Sequence, residues 1–362
     1  MSAHEAMNCR KATKSYESWL AKQSRIIDAD LQFKHQQMSA DLFSFMRATF
    51  YRWLEIWAET CAELNQTPPV LAVGDLHVEN FGTWRDQEGR LVWGINDFDE
   101  AFVLPYANDL VRLAVSAHLA ISADDLAIKP AEACSAILKG YLRTLQDGGQ
   151  PFTLAERHQW LRSTVTSELR DPAKFWAKLI QLPTLKTGVP VKARRVLAEA
   201  LPAARLDYRI VHRVAGLGSL GRQRFVALAE WKGGQIAREA KALVPASAVW
   251  FRGERKIRSQ YEQVLNQVVR CPDPFLEIRK SWVVRRLAPD CSRVELKVLP
   301  KDQDQYKLLE AMGRETANIH LGSRRAIEKI KRDIGRRPDD WLHTASLEMV
   351  QATTQDWLSW SA

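Results

Sequence analysis

Residues 71–99, LAVGDLHVENFGTWRDQEGRLVWGINDFD, constrain the fold more than any other stretch of this 362-residue chain. Val70–Val73 reads as a buried strand and Leu91–Ile95 as a second extended segment. A polar loop with Asp75, His77 and Asn80 lies between them, and the tight turn Asn96-Asp-Phe-Asp-Glu100 follows. Two carboxylates at i and i+2 after an apolar strand repel unless a cation or a basic side chain faces them.

A magnesium ion takes hard oxygen ligands, typically one or two carboxylates together with phosphate oxygens and water. Asn80 and Asp97 offer such oxygens, and Asp99 serves as a second ligand or helper. Asp75 can face a nucleophile from the same loop, while Phe98 packs inward and fixes the acidic turn. Each half alone reads as an ordinary polar or solvated turn. An Asp, an Asn five positions on and a further Asp after a hairpin together form the pattern used in phosphoryl transfer. Asp109 stands where it caps a following helix, or holds the backbone of the 74–80 loop.

Length suggests two domains or lobes, and 46% apolar with 26% charged residues is an ordinary globular balance. The net charge of +9 favours a polyanionic partner, from nucleotide phosphates to nucleic acid. Five scattered cysteines without a C-x-x-C pair predict reduced thiols, with neither zinc site nor disulfide framework. No apolar run reaches membrane-spanning length and the N-terminus lacks a signal-peptide core, so a cytoplasmic protein without membrane contact is expected.

Periodicity predicts helices over 11–33 and 39–65, then from Leu110 to Ser122, with Ser122 and Asp125 opening the next. The helical pattern continues to about 200. Strands are expected at 207–214, 224–231, 235–241 and 282–287, a charged helix at 253–270, and closing helices near 302–321, 323–334 and 339–360. The expected division is a mainly helical lobe (1–205), a β-rich lobe (206–300) and C-terminal helices (301–362) packing back on the first.

Gly216-Leu-Gly-Ser-Leu-Gly221 matches G-x-G-x-x-G, and the strand after it makes a hairpin more natural than a dinucleotide fold. Such glycines let backbone N–H groups approach phosphates. Gly216, Gly218, Ser219 and Gly221 are the candidate phosphate-covering residues. On the next strand Arg238 shares a face with Ala240, and Lys241 lies opposite with Glu239, so either cation is a candidate clamp. Glu254 or Glu262 is a candidate acidic partner. The run Arg324–Arg337 reads first as a solvated helix face and only secondarily as a nucleic-acid surface.

These stretches, with Met38–Arg47, Arg238-Glu-Ala240 and Val284–Pro289, resemble the domain-of-unknown-function family 2252, placed among kinase-like folds. The Gly-Asp-Leu-His-x-x-Asn and Asp-Phe-Asp pieces are similar to those of aminoglycoside and choline phosphotransferases. The resemblance implies an α+β, two-lobed, protein-kinase-like fold. Its order is circularly permuted, because the Gly-rich turn follows the catalytic loop, and helix 302–321 stands for the one that usually precedes that loop. It further implies an ATP- and Mg2+-dependent phosphotransferase acting on a small hydroxylated acceptor. Asp75 would be the base and Asn80 and Asp97 the metal ligands. A nucleotidyl transferase or an idle nucleotide-binding module would use nearly the same residues. Val73 stands where relatives often have His, and Arg238 where the family has Lys.

Overall fold

The computed structural model describes residues 8–154, 156–165, 171–254, 259–291, 296 and 304–362. Four helices open it: α1 (Cys9–Gln23), α2 (Asp28–Ala40), α3 (Leu42–Ala48) and α4 (Phe50–Thr60). The two long helices expected here are thus broken, for reasons periodicity does not carry. Between α1 and α2, Ile26 bridges to Arg222 and the Ile27 N–H donates to the Gly221 carbonyl (2.8 Å), so a distant segment fixes the break. Between α2 and α3, the Asp41 carboxylate accepts from the Ser44 N–H (2.7 Å) and starts a new helix.

Strands β1 (Pro69–Ala72), β2 (Phe81–Arg85), β3 (Leu91–Ile95) and β4 (Phe102–Pro105) follow, then helices α5 (Tyr106–Ser122) and α6 (Pro130–Asp147). β1 pairs antiparallel with β4, and β2 with β3, setting Phe81 opposite Ile95. β5 (Phe152–Thr153) adds to β3. α5 begins four residues before Leu110, so Asp109 lies in its first turn and does not cap it. α6 begins at Pro130 instead of at Ser122–Asp125. α5 is buried from Tyr106 to Ala120, which makes it the central helix of the largest core, packed with Trp53, Leu54 and Met349.

Helices α7 (Gln159–Val165), α8 (Pro172–Ile180) and α9 (Val191–Ala200) lead to β6 (Tyr208–His212), β7 (Arg224–Trp231) and β8 (Gly234–Ala242). After α10 (Ser247–Phe251) and α11 (Tyr261–Gln267) come β9 (Glu277–Arg279) and β10 (Trp282–Leu287). Among the described residues these strands form an antiparallel sheet in the order β6-β7-β8-β10-β9. Alternate residues point to opposite faces. Phe225, Ala227 and Ala229 meet α9 through Val196 and Leu197, while Val226 and Leu228 meet α8 through Phe175, Trp176 and Leu179. Helices α8 and α9 therefore pack on opposite faces of the sheet. Of the expected helix 253–270, α11 is what forms among the described residues; residues 255–258 lie outside them.

The chain closes with α12 (Gln305–His320), α13 (Ile327–Ile334) and α14 (Trp341–Ser361); residues 302–303 of the expected helix lie outside the described residues. The end of α12 lies beside β1, where the Leu71 N–H donates to Ser323 Oγ (2.8 Å). Helix and sheet are thus mixed in an α+β chain, and among the described residues no helix is long and apolar enough to cross a membrane.

Candidate functional site

The loop after β1 is held from behind by Asp109. Its carboxylate accepts from the N–H groups of Val73 (2.7 Å) and Gly74 (2.9 Å), and His320 Nε2 lies 3.0 Å from it, with both side chains fully buried. Gly74 has a φ of +81°, and a Cβ there would run into the Glu100 carbonyl, so glycine is required where the two loops touch. Asn80 ties them together. Its Nδ2 donates to the carbonyls of Asp75 (3.2 Å) and Asp97 (3.1 Å), and its Oδ1 accepts from the Asp97 N–H (3.0 Å).

Asp75 faces a buried arginine that sequence reading passed over. Arg112, on α5, donates through Nε (3.0 Å) and Nη2 to Asp75 Oδ1. Its guanidinium lies over the rings of Phe50 (4.9 Å) and Trp53 (4.8 Å) and donates to the Met46 carbonyl (2.9 Å). Burial pushes the Asp75 carboxyl above its ordinary range, against the pull of Arg112. The visible signal was a lone arginine inside a largely apolar helix, which demands a buried partner.

Lys241, near the end of β8, answers the acidic turn. Its Nζ donates to both Asp97 oxygens (3.0 and 2.9 Å) and lies 2.7 Å from Asp99 Oδ1. Lys241 and Asp99 are buried, whereas the Asp97 side chain is about a third exposed (36%). Burial alone would raise Asp97, but Lys241, Arg285 and Arg224 outweigh it and hold the carboxyl at about 2. Asp99 moves the other way, raised by burial and by the neighbouring Asp97 charge. Arg222 braces the back of the turn, reaching Asp99 (3.2 Å) and Glu100 (3.1 Å), and Glu100 accepts from the Ser247 N–H and hydroxyl (2.6 Å each).

The Gly-rich turn comes to this loop from more than a hundred residues away. A Cβ on Gly218 would lie 3.3 Å from Asp75 Oδ2 and 3.1 Å from the Arg47 carbonyl. Gly216 and Gly221 have φ of +73° and +90°. Ser219 works within the turn: its hydroxyl donates to the Gly216 carbonyl (3.0 Å) and accepts from Arg224 Nη2 (2.7 Å). Asp75, Asn80, Asp97, Asp99, Gly218 and Lys241 therefore share one region.

Arg238 does not join them. It points to the α9 side of the sheet, donates to the Ala200 carbonyl (3.0 Å) and lies over Phe275 (4.7 Å). Glu254 pairs with Arg252 (3.8 Å), and Glu262 is exposed on α11; the carboxylates on Lys241 are those of the acidic turn instead. Beside Lys241 on the same sheet face, the fully buried Glu239 takes Arg213 (2.6 Å), Arg224 (2.8 Å) and Arg285 (2.9 Å). Burial opposes its ionisation, yet the three guanidiniums hold its carboxyl well below the ordinary value. Three cations on one anion leave this face net positive. Lys34, buried on α2, is lowered to about 8 by burial, partly offset by Glu17.

The basic run at 324–337 is partly neutralised locally, with Lys331 on Glu328 (3.0 Å) and Arg337 on Asp333 (2.8 Å). Arg324, Arg325 and Lys329 line a surface pocket with Pro68, Gln263 and Ser323.

The profile of a family described as "uncharacterized protein conserved in bacteria (DUF2252)" matches residues 25–176, which supports that family for the part carrying both acidic loops. No curated protein and no solved structure matches the chain.

Proposed function

We propose that the chain is an ATP-dependent phosphotransferase with a circularly permuted, two-lobed kinase-like fold. The observation that carries the reading is the meeting of three sequence-distant pieces: the Asp75 loop, the Asp97–Asp99 turn on Lys241, and the glycine turn at Gly218. The permutation draws support from the hydrogen bond between Leu71 and Ser323, which sets the end of α12 at the start of β1. In sequence those two points are far apart; in space one could lead into the other.

Asp75 is the base in this reading. Arg112 occupies Oδ1 and orients the carboxylate, leaving Oδ2 on the side of the glycine turn, and a carboxyl raised by burial is the better proton acceptor. The hard-oxygen set of Asp97, Asp99 and Asn80 fits magnesium, and the Lys241 ammonium already lying between the two carboxylates supports their holding a cation. Magnesium would supply charge neutralisation to the ATP phosphates. Lys241, placed by the positive sheet face, is the phosphate clamp of choice over Arg238, which is spent on α9.

The acceptor in this reading is a small hydroxylated molecule. ATP is expected to raise the melting temperature in a magnesium-dependent way, with the effect lost in Asp97→Asn. Incubation with candidate alcohols and ATP should then release ADP; release of pyrophosphate would mean nucleotidyl transfer. A melting temperature indifferent to ATP and magnesium, in wild type and variant alike, overturns the nucleotide reading.

A further inference from the structure

Away from the acidic loops, α5, α6 and α14 meet at a polar knot that the proposed reaction does not use. His118 and Cys134 are almost fully buried there, at 4% and 3% exposure, and His343 joins them from the first turn of α14. One donor atom from each of the three lies within 4.8 Å of the others. His118 Nε2 is 3.4 Å from Cys134 Sγ, and the two imidazole rings stand 5.4 Å apart. Ser346 Oγ lies 3.3 Å from His118 Nε2 and 3.6 Å from the thiol while donating its proton to the His343 carbonyl (2.8 Å).

A thiol and one imidazole can satisfy each other by a hydrogen bond. The second histidine is then surplus, and His343 Nδ1 is buried with no hydrogen-bond partner among the described residues. An orphaned buried polar atom costs roughly 1–3 kcal/mol, so a structure that keeps one invites a use for it. A thiolate with two neutral imidazoles is a donor set of borderline softness that suits zinc. With metal–nitrogen bonds of about 2.0 Å and metal–sulfur bonds of about 2.3 Å, tetrahedral ligand atoms stand roughly 3.3–3.6 Å apart. The His118–Cys134 pair already has that spacing. Closing the remaining gap takes a rotation of His343, which is only partly buried.

We propose that His118, Cys134 and His343 form a binding site for a divalent transition-metal ion of the zinc class. The Ser346 oxygen or a water takes the fourth position. Binding forms one metal–sulfur and two metal–nitrogen bonds; the thiol proton leaves to solvent and the imidazoles bind as neutral ligands. The ion ties α14 to α5 and α6. Because α14 also carries Asp356, which pairs with Arg52 on α4, the tie extends to the helices behind the Asp75 loop.

Cobalt(II), titrated into the chelator-treated full-length protein, is the probe. The expected result is one bound equivalent, with a near-ultraviolet thiolate-to-cobalt charge-transfer band and visible ligand-field bands of a tetrahedral site, all removed by added zinc. Cys134→Ser should abolish the charge-transfer band. His343→Gln, at a partly exposed position that leaves the fold intact, should weaken cobalt binding at least about tenfold, as loss of even an outer-shell partner does. No charge-transfer band in wild type, a band that survives Cys134→Ser, or unchanged affinity in His343→Gln each overturns the proposal.

Discussion

Lys241 Nζ lies 2.9 Å from Asp97 Oδ2, although 144 residues separate the two in the chain. The ammonium relieves the repulsion that the acidic turn creates, and through it the sheet meets the turn at both Asp97 oxygens. On the proposed function, Lys241→Met should lower phosphoryl transfer by at least about 100-fold, the usual loss when one charge-stabilising group is removed. Lys241→Arg should fail to restore it, since the bulkier planar guanidinium does not replace a compact ammonium at this buried position. Product formation at saturating ATP measures both.

Asp75→Asn tests the base. Transfer should fall by about 10²–10⁴-fold while the ATP-dependent rise in melting temperature persists, because the change removes proton acceptance and keeps the shape. A matching loss of ATP binding would place Asp75 in nucleotide binding instead.

Arg112→Met separates support from chemistry. The arginine is fully buried on Asp75, so its removal strands a carboxylate and should cost roughly 3–5 kcal/mol of stability. Denaturant unfolding of the variant beside Asp75→Asn checks the cause: in the double variant the loss should be smaller than the sum of the two.

Gly218→Ala adds a methyl 3.1 Å from a backbone carbonyl and 3.3 Å from Asp75 Oδ2. The turn must shift by a few tenths of an ångström, at a cost of about 1 kcal/mol or slightly more. The expected signature is a raised KM for ATP and a reduced kcat with a melting temperature only a few degrees lower.

Glu315, buried on α12, accepts from the Ile95 N–H (3.3 Å) and from Asn318 Nδ2 (2.8 Å). Burial, partly offset by Asn318, pushes its carboxyl up to about 7 from an ordinary 4.5. Between those values the folded chain holds a proton that the unfolded chain has lost, so this group's contribution to stability falls as pH rises through the window. Glu315→Gln should flatten that dependence, with wild type losing up to about 3 kcal/mol relative to the variant from pH 4.5 to above 7. Denaturant midpoints across this range read the difference.

What the sequence disclosed was local. Apolar alternation and turn glycines marked β1, β3 and the glycine turn, and the acid spacing marked Asp75, Asn80 and Asp97. Its errors were of tertiary origin. The apolar period runs through residues 39–65, yet the Asp41 cap, the break at Thr49 and the end of α4 at Thr60 interrupt it. Alternation placed Arg238 and Lys241 on opposite faces but could not say which face meets the acidic turn; the packing of α9 against Ala227 and Ala240 decides that. Arg213, Arg224 and Arg285 carry no signal in the sequence, because their shared partner, Glu239, becomes their neighbour only when the strands align.

The 144-residue separation of Lys241 from Asp97 has a consequence for biosynthesis. At about 5–20 residues per second, a ribosome extrudes the acidic turn on the order of ten seconds before the lysine that neutralises it. During that interval the nascent chain carries two neighbouring carboxylates with no ammonium between them. The hairpin of β2 and β3 can form early, but its acidic end is able to settle only when β8 has emerged and been laid beside it. Emergence of β8, and not of the first helices, sets the earliest moment at which this centre is assembled.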